Sequence, residues 1–172
     1  MESQQLDRFD RIILAELSKN ARITATDLSA RVGLSSTAVA RRQRLLEEAG
    51  LIRGYHAALD HAGFGFTTTV LVRVTLESQS EGALRAFESQ VVNSPSVMRC
   101  FLMSGSDDYL IIVAARSIED FERIHRSELS KLPKVARIQS SFAIREIVNQ
   151  ANPLALFGKL TVNRRLDRST SA

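Results

Sequence analysis

The hydrophobic pattern changes period once along the chain, so two differently built parts must fold side by side. Over residues 6–50 apolar side chains recur at three and four positions, the spacing of helices that bury one stripe. Leu6, Phe9, Ile13 and Leu17 mark one face of a first helix, and Ile12 and Leu14 widen it. Thr24 to Asp27 has capping-box spacing, with Asp where Glu or Gln is usual. It predicts a short second helix carrying Leu28 and Val32, ended by Gly33. Ser35 or Ser36 caps a third helix that runs to Ala49 and stops at Gly50.

From residue 67 the period is two. Val70, Val72, Val74 and Leu76 alternate along a β-branched run, which is strand behaviour. A helix with Leu84, Phe87, Val91 and Val92 closes at Ser94 and Pro95. Residues 97–103 and 109–115 predict two strands joined by the turn-rich 104–108. A helix with Phe121, Ile124, Leu129 and Leu132 ends at Pro133, and 135–148 predict a last strand that could bend. The order is βαββαβ, the ferredoxin-like arrangement, so the fold class is α+β. The expected domains are 1–52 (helix-turn-helix), 53–66 (linker with a short strand at 55–59), 67–150 (ferredoxin-like) and 151–172 (a tail, partly disordered). Within that tail the apolar patch of Leu154, Leu156 and Phe157 is expected to dock, ahead of a basic end at 163–168.

Composition adds limits. Of 172 residues 44% are hydrophobic and 24% charged, which excludes disorder throughout. A net charge of +4 permits a polyanionic partner without demanding one. Cys100 is the only cysteine, so no intrachain disulfide can form, and it reads as a small buried hydrophobe before a reactive thiol. The first ten residues lack a signal peptide's basic start and apolar core, and no run approaches the ~20 apolar residues of a membrane span. A cytoplasmic protein that meets the nucleoid, with no membrane partner, is the expectation.

Gly33 suits the turn of a helix-turn-helix, with Leu28, Val32, Leu34 and Val39 inward and small Ser29 where the helices approach. The third helix could then enter a major groove ~12 Å wide. Ser35, Ser36, Thr37, Ala40, Arg41, Arg42 and Arg44 are its candidate contacts to double-stranded DNA. Residues 31–44 hold four arginines and no acid. Arginine grips phosphate or reads guanine bidentately, and Ser and Thr suit either phosphates or base edges. Arg42, three residues after Val39, could instead pack or pair inside the domain. An ordinary solvated basic face is the bland alternative.

The segments LDRFDRIIL (6–14), NARI (20–23), DLSARVGLS (27–35) and LEEAGLIRGY (46–55), continued by Ser104, Gly105, Asp108, Tyr109 and the turn at Leu132 and Pro133, resemble the Lrp/AsnC (leucine-responsive, feast/famine) transcription regulators. The resemblance spans about residues 6–150. It implies a three-helix DNA-binding domain and a βαββαβ domain that builds homodimers, which assemble further to tetramers or octamers. It also implies an amino acid or related metabolite bound between dimers, near the loop 104–108 and the strand of Ser140. Three positions depart from the family pattern. Ser36 stands where proline is common, Gln43 where an apolar residue is, and Gly105-Ser106-Asp107-Asp108 replaces Gly-Asp-x-Asp.

An amino acid offers an ammonium and a carboxylate, so its pocket wants acids and several hydroxyl or N–H donors. The candidate effector residues are Met103, Ser104, Gly105, Ser106, Asp107, Asp108 and Ser140, with Ser141 beside it. Asp107 or Asp108 is expected to meet the ammonium group, although an ordinary polar hairpin turn explains the loop equally well. No cofactor, metal site or catalytic residue is expected. His56, His61 and His125 are scattered, and there is no Gly-rich phosphate loop. An effector-free architectural protein that coats DNA and a purely interactive assembly module remain as alternatives.

Overall fold

The computed structural model describes residues 6–157. The helices are α1 (Arg8–Lys19), α2 (Ala25–Val32), α3 (Ser36–Glu48), α4 (Glu81–Val91) and α5 (Ile118–Ser127). The strands are β1 (Thr68–Leu76), β2 (Val97–Leu102), β3 (Tyr109–Ala115) and β4 (Val135–Phe142), and short 3-10 turns lie at Ala62–Phe64, Leu129–Lys131 and Leu154–Phe157. Residues 6–58 group with 148–157 as one compact unit, and 59–147 form another.

In the first unit the helix starts are set by short polar side chains. Asp7 and Asp10 close a reciprocal capping box on α1, each carboxylate accepting the other's backbone N–H. The box expected at Thr24 is only half made. Thr24 accepts the Asp27 N–H at 3.1 Å, but its own hydroxyl donates to the Asp27 carboxylate at 2.7 Å. Ser35, not Ser36, caps α3. Gly33 ends α2 at φ 78°, in the left-handed region that costs glycine little. Ile13, Leu17, Leu28, Val32, Val39 and Leu46 form the buried core, flanked by Leu34 and Ile52.

Helix α1 is covered on two sides. Ala15 lies about half a turn round the helix from Ile13, yet it is 5% exposed. The turn Leu154–Phe157 lies against α1, and Phe157 is 8% exposed, so part of the expected apolar tail patch is docked on the first unit. The basic end at 163–168 lies outside the described residues.

In the second unit the antiparallel sheet has strand order β2-β3-β1-β4. Val70, Val72, Val74 and Leu76 of β1 and Tyr109, Ile111, Val113 and Ala115 of β3 pack under Phe87 and Val91 of α4 and Phe121 and Ile124 of α5. The other face carries Leu71, Arg73, Leu110 and Ile112, because side chains alternate along a strand. Cys100 sits opposite Ile111 and is half-buried, and burial followed by the Glu88 charge pushes its thiol pKa up.

Two expectations fail here. The last strand ends at Phe142 rather than 148, because its partner β1 begins at Thr68 and one further bond, Ala143 N–H to the Thr69 carbonyl, exhausts the ladder. The short strand at 55–59 is absent among the described residues, since no neighbouring strand pairs with that segment.

Candidate DNA-reading face and effector loop

Burial of Val39 (0% exposed) and Leu46 (4%) against the first unit's core fixes the roll of α3. Ser35, Ser36, Thr37, Ala40, Arg41 and Arg44 are left exposed. The Ser36 hydroxyl donates to the Ser29 hydroxyl at 3.3 Å, so two small side chains link α2 to the start of α3.

The four arginines differ in what holds them. Arg31 pairs with Glu16. Arg42 turns back to α1, with Nη1 2.7 Å from Asp7 and 2.8 Å from Asp10 and its guanidinium 5.4 Å from the Phe9 ring centroid. The Asp10 N–H and then Arg42 hold the Asp7 carboxyl below its ordinary range, and the bond to Asp10 raises the Arg42 pKa further. Arg42 therefore leaves the set of DNA contacts read from the sequence, because two carboxylates already occupy it. Arg44 has an exposed pairing with Glu48 at 3.5 Å, of the kind worth little. Among the described residues Arg41 makes no ion pair. The sequence reading missed Asp7 and Asp10 as anchors of α3, although Asp7-x-x-Asp10 repeats the spacing of Thr24-x-x-Asp27. It also missed Gln43, Glu47 and Tyr55. The Gln43 amide donates to the Tyr55 hydroxyl at 2.8 Å, which explains a polar residue at a position expected to be apolar.

The loop 103–108 leads from β2 to β3. The Met103 N–H donates to the Asp108 carbonyl at 2.8 Å and closes it, and Gly105 takes φ 140°. Met103, Ser104, Gly105 and Ser106 are exposed. The two acids, equivalent in the sequence, separate here. Asp108 is 6% exposed, and its carboxylate accepts the Leu76 N–H at 2.7 Å and the Gln79 amide at 2.8 Å. Both oxygens are thus committed inside the fold, which removes Asp108 as the ammonium partner. The Asp107 side chain keeps 20% of its surface, with Arg73 Nε at 3.9 Å and Arg137 Nη2 at 3.7 Å.

Strand register places the remaining candidates. Ser140 lies opposite Val72 and so on the helix-covered face, whereas Ser141, opposite Leu71, shares the other face with Arg73 and Arg137. Ser140 is therefore not brought to Asp107. Thr75, opposite Arg137, has a buried hydroxyl without a hydrogen-bond partner among the described residues. An open apolar hollow of about 610 Å³ lies elsewhere, lined by Phe142, Ile144, Arg145 and Ile147, and offers an ammonium group no carboxylate. Among the described residues no three His, Cys, Asp or Glu side chains gather as metal ligands, and no helix is long and apolar enough to cross a membrane.

Comparison with known proteins agrees with both halves. Residues 6–53 match a winged helix-turn-helix DNA-binding model, and residues 69–153 match the Lrp/AsnC ligand-binding domain. The chain is 40% identical over 148 residues to the proline dehydrogenase transcriptional activator of Rhodobacter capsulatus, covering 86% of this chain and 96% of that one. It is 38% identical over 149 residues to the Bkd operon transcriptional regulator of Pseudomonas aeruginosa, covering 87% and 97%. Among solved structures, a Neisseria meningitidis transcriptional regulator in complex with L-Met superposes with a TM-score of 0.83 at 31% identity, covering 88% of this chain and 97% of that one. An AsnC-family regulator from Agrobacterium tumefaciens gives 0.84, also at 31%, covering 89% and 99%.

Proposed function

The chain belongs to the Lrp/AsnC family of transcriptional regulators, and from that premise we propose that it binds an amino acid through Asp107 and reads DNA chiefly through Arg41 and Arg44. One observation carries the effector reading. Of the two loop carboxylates only Asp107 is uncommitted to the fold, and it stands between Arg73 and Arg137. An acid between two guanidinium groups can meet both ends of a zwitterion, the ammonium at Asp107 and the carboxylate at an arginine. The match of 69–153 to a ligand-binding domain, together with the L-Met bound by the Neisseria relative, supports an amino-acid effector over the architectural alternative.

On the DNA side, Ser36, Thr37 and Ala40 lie against base edges while Arg41 and Arg44 meet bases or phosphates. The open face of the sheet, with half-buried Leu71, Leu110 and Ile112 and 43%-exposed Phe101, is where a second copy docks, because α4 and α5 of the same unit pack on the other face. A dimer supplies two recognition helices for half-sites ~34–36 Å apart or a multiple of it, and tetramers or octamers add avidity. The protein works where its DNA lies, in the cytoplasm, and carries out no catalysis.

Calorimetric titration with the common amino acids tests the effector assignment. Asp107→Asn should lower affinity for the responding compound at least about tenfold, as expected on losing a charged hydrogen-bond partner, while the melting temperature stays unchanged. Affinity equal to the parent's would overturn the assignment.

A further inference from the structure

The polar cluster on the far half of the recognition helix has no place in the site described so far. Gln43 and Glu47 stand four apart on α3 and so lie one above the other. The Gln43 amide donates to Glu47 Oε1 at 3.2 Å and to the Tyr55 hydroxyl at 2.8 Å, and that hydroxyl donates to the same Glu47 oxygen at 2.6 Å. Burial first and the hydrogen bond to Glu47 second push the Tyr55 pKa up, which favours the protonated, donating phenol.

Helix geometry makes the location consequential. At 3.6 residues per turn Gln43 and Glu47 continue the stripe of Ser36 and Ala40 and flank Arg44. A carboxylate there does two unfavourable things. It repels approaching phosphates, and, three residues beyond Arg44, it stands where it can capture that guanidinium. Arg44 already has one acidic neighbour, Glu48, at 3.5 Å.

We propose that Tyr55 is a positioning residue for DNA recognition, holding the Glu47 carboxylate so that Arg44 stays available to the DNA. The first residues after the helical unit thereby act on the recognition helix without touching DNA, and Gln43 supports the clamp by bonding both partners. The inference rests on the assignment of Arg44 as a DNA contact.

The test is a salt series of binding to the DNA segment upstream of the protein's own gene, using the full chain and the variants Tyr55→Phe, Glu47→Gln, the double variant and Arg44→Ala. Tyr55→Phe should weaken binding at low salt by about fivefold, the most that one exposed ion pair is worth. Glu47→Gln should bind at least as tightly as the parent. The double variant should recover parental affinity within about twofold, because the freed side chain no longer carries charge. A bond that served only to pin the linker would leave the double variant as weak as Tyr55→Phe, and that result overturns the proposal, as does a Tyr55→Phe protein that binds like the parent. Arg44→Ala separates the two levels. If it binds like the parent, the Arg44 assignment and the clamp fall together; if it binds weakly while the double variant stays weak, only the clamp falls.

Discussion

Replacing Asp108 and Asp107 one at a time should give opposite outcomes, although the two acids are neighbours in one loop. Asp108→Ala removes the acceptor of the Leu76 N–H, and Leu76 is itself 5% exposed, so water cannot readily replace the lost partner. A buried donor left unsatisfied costs about 1–3 kcal/mol, and a hydrogen bond to a charged group is worth about 1.5–3 kcal/mol. Gln79 lies nearer solvent and can turn to water, so its bond adds little. The expected loss is about 3 kcal/mol, which for a unit of this size lowers the melting temperature by roughly 10–20 °C. Asp107→Ala loses only two long contacts to arginines whose side chains are 51% and 56% exposed, so stability should change by less than about 0.5 kcal/mol. The assay is urea unfolding at fixed protein concentration, paired with effector titration well below each melting point. Asp108→Ala should be unstable with effector affinity kept within a few-fold, and Asp107→Ala stable with affinity lost. An Asp108→Ala protein as stable as the parent would refute the argument, because a carboxylate that holds a buried N–H cannot be removed at no cost.

Arg41 and Arg42 should also part company. Arg41→Ala should cost about 1–3 kcal/mol in DNA binding, whereas Arg42→Ala should instead lower first-unit stability by about 1 kcal/mol, discounted for its partial exposure; equal effects on DNA affinity would contradict this. The Asp7 carboxyl is held below its ordinary value of 3.8, so its contribution to stability is complete above about pH 5 and is lost as pH falls through 3.8 and below. An acid titration of the parent and Arg42→Ala should show the two stability curves converging in that range. Leu110→Arg on the open sheet face should lower the mass in solution toward a single chain, and an unchanged mass would move the self-association surface elsewhere. Phe157→Ala should weaken the docking of the tail by about 2 kcal/mol and speed hydrogen exchange in α1, whereas exchange equal to the parent's would mean the turn adds no stability there.

Much of this molecule was legible in the amino-acid sequence because the informative features are local. The two hydrophobic periods, the left-handed glycine at 33 and the polar caps at Thr24 and Ser35 act within a turn or two of the residues that carry them, so they identify the helices, the strands and the exposed side of α3. Partnership over long sequence separation is a different matter. Only folding brings Arg42 within 2.8 Å of Asp10, thirty-two residues away, and so takes it out of the DNA face. Only the packing of β1 beside β3 spends Asp108 on the Leu76 N–H and leaves Asp107 with no more than two long ion pairs, and only strand register puts Ser140 on the opposite face from Arg73. The end of β4 likewise depends on where its neighbour stops. A side chain's type sets what it can bind, but burial and the partners that reach it first decide what it has left to offer, and those belong to the tertiary structure.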